Sequence, residues 1–549
     1  MQRSRVVMLA GACAAALGVL YLTLPPMGSD LSAQVARTDF FAAHGPALVD
    51  LRWYGGVHPL GYSLISPPVM SLLGVRITGA IALVAAAVAF AALLVRTGVP
   101  RPVLGSLVGV LTIAGNLVSG RVTYALGVAF GVAAVLALTL PRRPAEAHGA
   151  ITSGARPGRP GRGWVSAGRL RGLLRPSLVV AGGLLASATS PVAGLFVGLA
   201  GAALLITRRY ADGVLLGVGA ALPLGATALL FGDGGWMNIS RTDAVRAVVT
   251  SLLVSALVAY RPVRVGALLS AAGVLAAALV HTPVGLNATR LVVMFALPVL
   301  AATARPPRFA KALLPRSRRA LGAVALAAML GLVCWWQPPA VSADLRSAAD
   351  PTSRSEFFAP LRTELARRGL TGRVEVPPTR NYWEAAHLGD VPLARGWLRQ
   401  ADIARNPLFF TTVPGAAGTG VPLTAASYHT WLADNAVQYV ALPDAPLSWV
   451  GRAEAELVEG GLPYLHLVWT NEHWRLYAVA AQTPIAEPPA TLIHLAPDAI
   501  TVDVPSAQRV LLRVRYSRWL TSSAGSTLTP SDGWTALHVS RPGKYTIHG

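Results

Sequence analysis

Charge is scarce in this chain, and acidic charge is scarcest. Of 549 residues, 25 are acidic and 47 basic, 13% in all, against 53% hydrophobic. That is too little charge to coat a water-soluble globule of this length, so lipid must cover much of the surface. Between residues 75 and 336 the acids are Glu146, Asp212, Asp233 and Asp243, each between apolar runs rather than within one. Ion-coupled carriers keep ionisable groups at mid-membrane depth to bind the coupling ion, and that feature is missing. No filter-like loop or ring-forming polar stripe supports a channel. Cysteine is limited to Cys13 and Cys334, both in apolar runs, which excludes a disulfide framework or a Cys-based metal site from the polar C-terminal part.

What is present is a succession of apolar runs, near 6–26, 75–95, 102–119, 122–140, 177–190, 192–207, 213–231, 246–260, 265–281, 290–304 and 319–336. Each approaches the ~20 residues that a helix needs to cross a hydrocarbon core ~30 Å thick. The pattern predicts an α-helical polytopic membrane protein with about eleven transmembrane helices in residues 1–339. The formal charge of +22 does not point to nucleic acid, because the basic residues sit in short segments between the runs. Arg3/Arg5, Arg96/Arg101, the arginines of 142–175, Arg208/Arg209, Arg261/Arg264 and Arg305 to Arg319 all fall on one side. The positive-inside tendency makes that side the cytoplasm. The expected location is therefore the cell membrane, multi-pass, with the N-terminus inside and everything after the last run outside. The first run follows two arginines like a secretory signal, but no small-residue cleavage site follows it, so it reads as an uncleaved helix.

Two connections are long. The linker 142–175, rich in Gly, Pro and Arg, reads as a flexible cytoplasmic loop. The first outer loop, 27–74, mixes acids, histidines and aromatics and is far longer than a simple connection needs. Beyond the membrane, 353–368 and 425–435 have helical spacing, and 372–376, 437–442, 463–469 and 473–479 read as strands, giving an α/β domain over 340–485. Residues 486–549, with TLIHL, AITVDV, RVLLRVRY, TALHVS and KYTIHG between turn residues, read as a small β module.

The first outer loop carries the most chemistry. Asp30, Gln34 and Arg37 recur at helical spacing on one face of a short helix. A carboxylate there can serve as general base towards a hydroxyl, or Asp30 can simply cap the helix. Trp53 and Tyr54, with His58 and Tyr62 nearby, read either as a platform for a sugar ring or as interfacial anchors, and His58 as a candidate proton shuttle. Arg121 and Arg290 end runs on the outer side, where guanidinium can pair with a lipid phosphate or snorkel to the headgroups. In the C-terminal domain Trp383, Glu384, Arg395, Trp397 and Arg399 lie in a stretch dense in Trp and Arg without sustained periodicity, as binding loops often are; they are expected to face the membrane-side cavity and hold an acceptor. No metal site is expected, since Asp30, Asp39 and Asp50 are irregularly spaced; a divalent ion is possible but not supported.

The segments GSDLSAQVARTDFFAAHG, WYGGVHPLGYSLISPP, GRVTYALG, ATSPVAGLF, GDGGWMN, GLNATRLVVMFALP and YWEAAHLGDVPLARGWLRQADIARNPLFF resemble a family of actinobacterial membrane proteins, itself similar to the GT-C glycosyltransferases. The near absence of lysine and the abundance of Ala, Gly, Val and Arg suit such a GC-rich source. The resemblance covers nearly the whole chain. It implies a GT-C-like fold, a polyprenyl-phosphate-linked sugar as donor, a cell-envelope glycan or lipid as acceptor, and a base in the first outer loop, the place of Asp30. The paired-acid motif of many such enzymes is missing here. The rival expectations are a transporter or lipid flippase, and a non-catalytic envelope-assembly protein.

Overall fold

The computed structural model describes residues 2–141, 162–304 and 318–549. Helix α1 (Gln2–Thr23) leads into the first long loop, which carries α2 (Leu31–His44) and helical turns at Pro59–Tyr62 and Ser66–Leu73. Then follow α3 (Val75–Arg96), α4 (Pro102–Val118), α5 (Val122–Ala137), α6 (Arg162–Thr189), α7 (Pro191–Ile206), α8 (Tyr210–Phe231), α9 (Arg241–Leu257), α10 (Arg261–Leu279), α11 (Arg290–Thr303) and α12 (Arg318–Trp336). Every apolar run is thus helical. Among the described residues five helices are long and apolar enough to cross a membrane: Arg3–Thr23, Val75–Arg96, Tyr210–Phe231, Arg261–Leu279 and Gly285–Thr303. Pro102–Val118, Val122–Ala137, Leu173–Thr189, Pro191–Ile206 and Gly322–Trp336 are shorter apolar helices.

The expected flexible linker needs correction. Residues 142–161 lie outside the described residues, but 162–175 are the first turns of α6 rather than a loop. Ala, Leu and Arg, all good helix formers, outweigh the glycines there.

Small residues let these helices approach. Gly105 of α4 lies so close to α11 that a Cβ on it would fall 2.4 Å from the Cβ of Ala302, and Gly182 of α6 abuts Ala134 of α5 in the same way. Such contacts are how helices pack where no hydrophobic force distinguishes partner from solvent. The outward faces are apolar: Val214, Val218, Leu222 and Leu229 of α8, and Leu268, Leu275 and Leu279 of α10, are all exposed. Strips of this kind are untenable in water and place the chain in a membrane.

After α12 the chain forms α13 (Ser355–Arg368), β1 (Arg373–Glu375), α14 (Ala425–Asp434), β2 (Val437–Pro443), α15 (Trp449–Glu459), β3 (Leu465–Thr470) and β4 (Trp474–Val479). Their sheet has order β1-β2-β4-β3, with β1 parallel to β2 and the other pairs antiparallel. The final part holds β5 (Thr491–Leu495), β6 (Ala499–Val504), β7 (Gln508–Arg515), β8 (Thr521–Ser522), β9 (Ser526–Ser531), β10 (Trp534–Val539) and β11 (Gly543–His548). These make two small sheets, β7-β10-β9 and β5-β6-β11-β8, whose inward faces carry the buried Ile500, Val502, Leu512, Leu537 and Ile547.

The first loop is built into the C-terminal domain. Leu31, Ala36, Trp53, Tyr54 and Val57 share one core with Phe358, Leu361, Val374, Trp383 and Trp474. Trp53 bridges Leu393 in strand fashion, and the backbone N–H of Leu393 donates to the Arg52 carbonyl. Loop and sheet therefore occupy the same end of the helical bundle.

Candidate functional site

Two glycine turns, stacked back to back, create the site. Gly28 has a φ of +103° and a Cβ on it would fall 2.4 Å from the Ser119 carbonyl carbon; Gly120 has a φ of +75° and presses equally on Leu31. Only glycine tolerates both the backbone angle and the approach. The backbone N–H of Asp30 then donates to the Ser119 carbonyl at 3.1 Å. Asp344, just past α12, locks both turns: its carboxylate accepts from the Ser29 N–H at 3.2 Å and from the Ser119 hydroxyl at 2.6 Å.

With the turns joined, Asp30 meets Arg121. Asp30 stands at the N-cap position of α2, but its side chain makes no capping hydrogen bond. Its Oδ2 instead accepts from Arg121 Nε at 3.2 Å and from Arg290 Nη2 at 3.1 Å. Arg121 caps the start of α5, and Arg290 opens α11 after a 3₁₀ turn over Gly285–Thr289. The carboxylate side chain is 11% exposed. Capping therefore does not account for this aspartate. The two guanidiniums supply the positive charge expected around a base, while access from water is narrower than an open site would give.

Around this centre, Gln34 donates to Tyr62 Oη at 3.2 Å and accepts from Thr123 Oγ1 at 2.5 Å. Arg290 lies over the Tyr124 ring, 5.5 Å from its centroid. Tyr124 in turn opens onto an apolar cavity of about 620 Å³, lined by Val128, Phe196, Phe295, Val299 and Leu138 among others. From Tyr124 to Leu138 this groove follows α5 for about 21 Å, a large part of a hydrocarbon core. Two contacts, Asp30 to Arg290 and Arg290 to Tyr124, connect the carboxylate to a lipid-sized groove.

The remaining candidates are distributed otherwise. Trp53 and Tyr54 are each 1% exposed, and Tyr54 donates its hydroxyl to the Gly396 carbonyl at 2.5 Å. They cannot present a face to a sugar. They fasten the first loop to the C-terminal domain. Trp383 stacks on His387 inside the same core. Glu384, fully enclosed, accepts from the Thr379 hydroxyl at 2.6 Å, and burial pushes its carboxyl up to about 7. Arg395 is buried among Asp402, Glu454 and Glu375, at 2.9, 3.0 and 3.6 Å. Burial and this crowding push Glu375 well above the usual carboxylate range and Glu454 to about 7. A group of three acids round one arginine, all almost wholly buried, holds the domain's interior together. Arg399 donates to Tyr382 Oη and lies over Trp449. Of the five C-terminal candidates only Trp397 reaches the site, its indole N–H donating to the Ser29 carbonyl at 3.1 Å.

His58 also stands apart from Asp30. Its backbone N–H donates to Asp233, its Nδ1 lies 3.1 Å from Asp233 Oδ1 but off the ring's hydrogen-bonding direction, and its Nε2 meets Ser517 Oγ at 2.9 Å. It joins the first loop to the loop after α8 and to the β module, so the expected proton shuttle is a clamp between three segments. Asp50 is committed to Arg52 at 2.8 Å, and Asp30 already receives two cations. Sequence reading passed over Thr123, Tyr124 and Asp344. Tyr124 had a signal, because it lies three residues after Arg121 and so shares its side of α5.

No protein-family model matches the chain, and no curated protein matches it. Among solved structures, an arabinofuranosyltransferase, AftD from Mycobacteria, is similar at 16% identity and a TM-score of 0.46, over 92% of this chain and 41% of AftD. A second AftD structure is similar at 13% identity and a TM-score of 0.47, over 99% of this chain and 60% of the other. ArnT from Cupriavidus metallidurans bound to undecaprenyl phosphate is similar at 14% identity and a TM-score of 0.46, over 86% of this chain and 98% of ArnT. The chain thus spans about two fifths to three fifths of the AftD chains. At TM-scores below 0.5 the likeness assigns no chemistry to any residue here.

Proposed function

We propose that the protein is a membrane glycosyltransferase that moves a sugar from a polyprenyl-phosphate donor to a cell-envelope acceptor on the outer face. The observation that carries the reading is the convergence of Asp30, Arg121 and Arg290, with Arg290 over Tyr124, a residue that lines an apolar groove. Such a groove suits a prenyl chain, and the two guanidiniums next to Tyr124 suit the phosphate. In the proposed reaction the acceptor hydroxyl attacks the anomeric carbon while its proton passes to Asp30. The bond from that carbon to the phosphate oxygen breaks, and its electron pair leaves on polyprenyl phosphate, whose charge Arg121 and Arg290 neutralise. The phosphate is already a good leaving group, so the protein has mainly to position and neutralise. About eleven membrane crossings, with the C-terminal sheets outside, complete the proposal.

The experiment is incubation of the full-length protein in lipid nanodiscs with a mass-tagged polyprenyl-phosphate sugar and a cell-envelope extract. Release of polyprenyl phosphate together with a tagged glycan supports transfer. A donor that stays intact in nanodiscs, yet crosses the bilayer of protein-containing vesicles unchanged, would instead make the protein a lipid flippase.

A further inference from the structure

Five arginines are almost wholly buried among the described residues: Arg37, Arg52, Arg175, Arg373 and Arg395. Four of them have acceptors. Arg52 grips Asp50, Arg175 meets Asp212, Arg373 donates to the carbonyls of Asn435 and Arg513, and Arg395 is held by carboxylates. Arg37 is the exception. It is 7% exposed, and its Nη1 is buried with no hydrogen-bond partner among the described residues. Asp30, Asp50 and Asp233 act on it only at longer range. What holds the guanidinium is aromatic: its central carbon lies 3.6 Å from the centroid of Tyr62, 5.3 Å from Trp397 and 5.6 Å from Trp53.

Ring faces fix the plane and place of a guanidinium but accept none of its in-plane hydrogen bonds. A buried cation with idle donors is costly to maintain, and buried polar groups of this kind are ordinarily satisfied. The cage also belongs to the site. Arg37 is on α2, about 10 Å of helix beyond Asp30, and side chains of a helix lean towards its N-terminus, here towards Asp30. Tyr62 receives the Gln34 amide, and Trp397 donates to Ser29, the neighbour of Asp30.

We infer that Arg37 in its cage of Tyr62, Trp397 and Trp53 is a second oxyanion subsite, which takes a phosphate or carboxylate of the acceptor while the donor phosphate occupies Arg121 and Arg290. The inference rests on the reading of Asp30 as the reaction centre, and it narrows the acceptor to an anionic glycan or lipid. Guanidinium matches such groups bidentately, and aromatic walls strengthen the pairing by excluding water.

The test uses the full-length protein in nanodiscs of zwitterionic lipid, titrated with inorganic phosphate at constant ionic strength and followed by tryptophan fluorescence. Trp53 and Trp397 lie against Arg37, and Trp397→Phe identifies the share of the signal that comes from Trp397. Wild type should give a saturable change that chloride does not produce, and Arg37→Met should weaken it at least tenfold. Arg37→Lys, which keeps the charge but not the fork, should fall between them. The change should persist when polyprenyl phosphate saturates the protein, and in Arg290→Met. Absence of a phosphate-specific change in wild type, or an unaltered titration in Arg37→Met, would overturn the subsite and leave Arg37 as a packing element. Abolition of the change by polyprenyl phosphate would assign Arg37 to the donor and equally overturn it. Phosphate binding at Arg37 in a protein that transfers no sugar would keep the subsite and refute the reaction, so the two failures are distinguishable.

Discussion

Arg290 Nη2 lies 3.1 Å from Asp30 Oδ2, although 260 residues separate the two in sequence. With Arg121 on the same oxygen, the carboxylate holds in place the two cations that a phosphate would recruit. Arg290→Met and Arg121→Met should each lower transfer by about 10²–10³-fold, the usual effect of losing one donor to a developing oxyanion. Arg290→Lys should recover only part, since an ammonium lacks the planar fork. Initial rates at saturating donor check this.

Buried acids in the C-terminal domain predict an unusual pH dependence. Glu384 and Glu454 are pushed up to about 7 by burial, whereas in an unfolded chain a glutamate titrates near ~4.3. Between these values the folded state binds more protons than the unfolded one. Stability is therefore greatest below the unfolded value and falls as pH rises through the window to about 7. Thermal unfolding monitored by near-UV circular dichroism should give a higher midpoint at pH 5 than at pH 8. Glu454→Gln should flatten the difference.

Among the described residues, Arg395 is the only cation inside the group formed by Glu375, Asp402 and Glu454. Removing it as Arg395→Met leaves those carboxyls buried without a counter-charge, for an expected loss of about 3–5 kcal/mol. Limited proteolysis should show the C-terminal domain opening. Transfer should fail through lost fold, not through altered affinity for an acceptor.

Much of the architecture was legible because long-range physics leaves a local trace. Apolar runs had to become helices, and all four strands read in 372–479 are present, from Arg373–Glu375 to Trp474–Val479. Short strands such as Thr521–Ser522 and Ser526–Ser531 left too little alternation to be seen. At the site, Asp30, Arg121 and Arg290 were each visible as polar residues at outer helix ends, but their meeting depends on Gly28 and Gly120 letting two turns touch. Trp53, Tyr54, Trp383 and Arg395 misled for a common reason. Aromatic and charged residues in aperiodic sequence mark a binding loop and an irregular core equally well, and only burial tells them apart.

Topology can be checked independently of chemistry. The first loop and the C-terminal sheets share a core, so both must lie on one side of the membrane. Single cysteines placed in a Cys-free background at Ser71, in the first loop, and at Ser523, in the β module, should react alike with a membrane-impermeant maleimide in intact cells. A cysteine at Thr207, at the opposite end of α7, should react only after permeabilisation. Reaction of all three in intact cells would refute the arrangement.

The central claim is that Asp30 accepts the proton in sugar transfer, and Asp30→Asn tests it most directly. Asparagine keeps the shape and the N-cap position but cannot take the proton, and it leaves Arg121 and Arg290 available to phosphate. The measurement is the single-turnover rate of polyprenyl-phosphate release by the variant, made beside its unfolding midpoint and its affinity for polyprenyl phosphate. The account predicts a folded protein that binds polyprenyl phosphate at least as well as wild type and transfers at least about 10²-fold more slowly. A folded Asp30→Asn variant that transfers at the wild-type rate would contradict it.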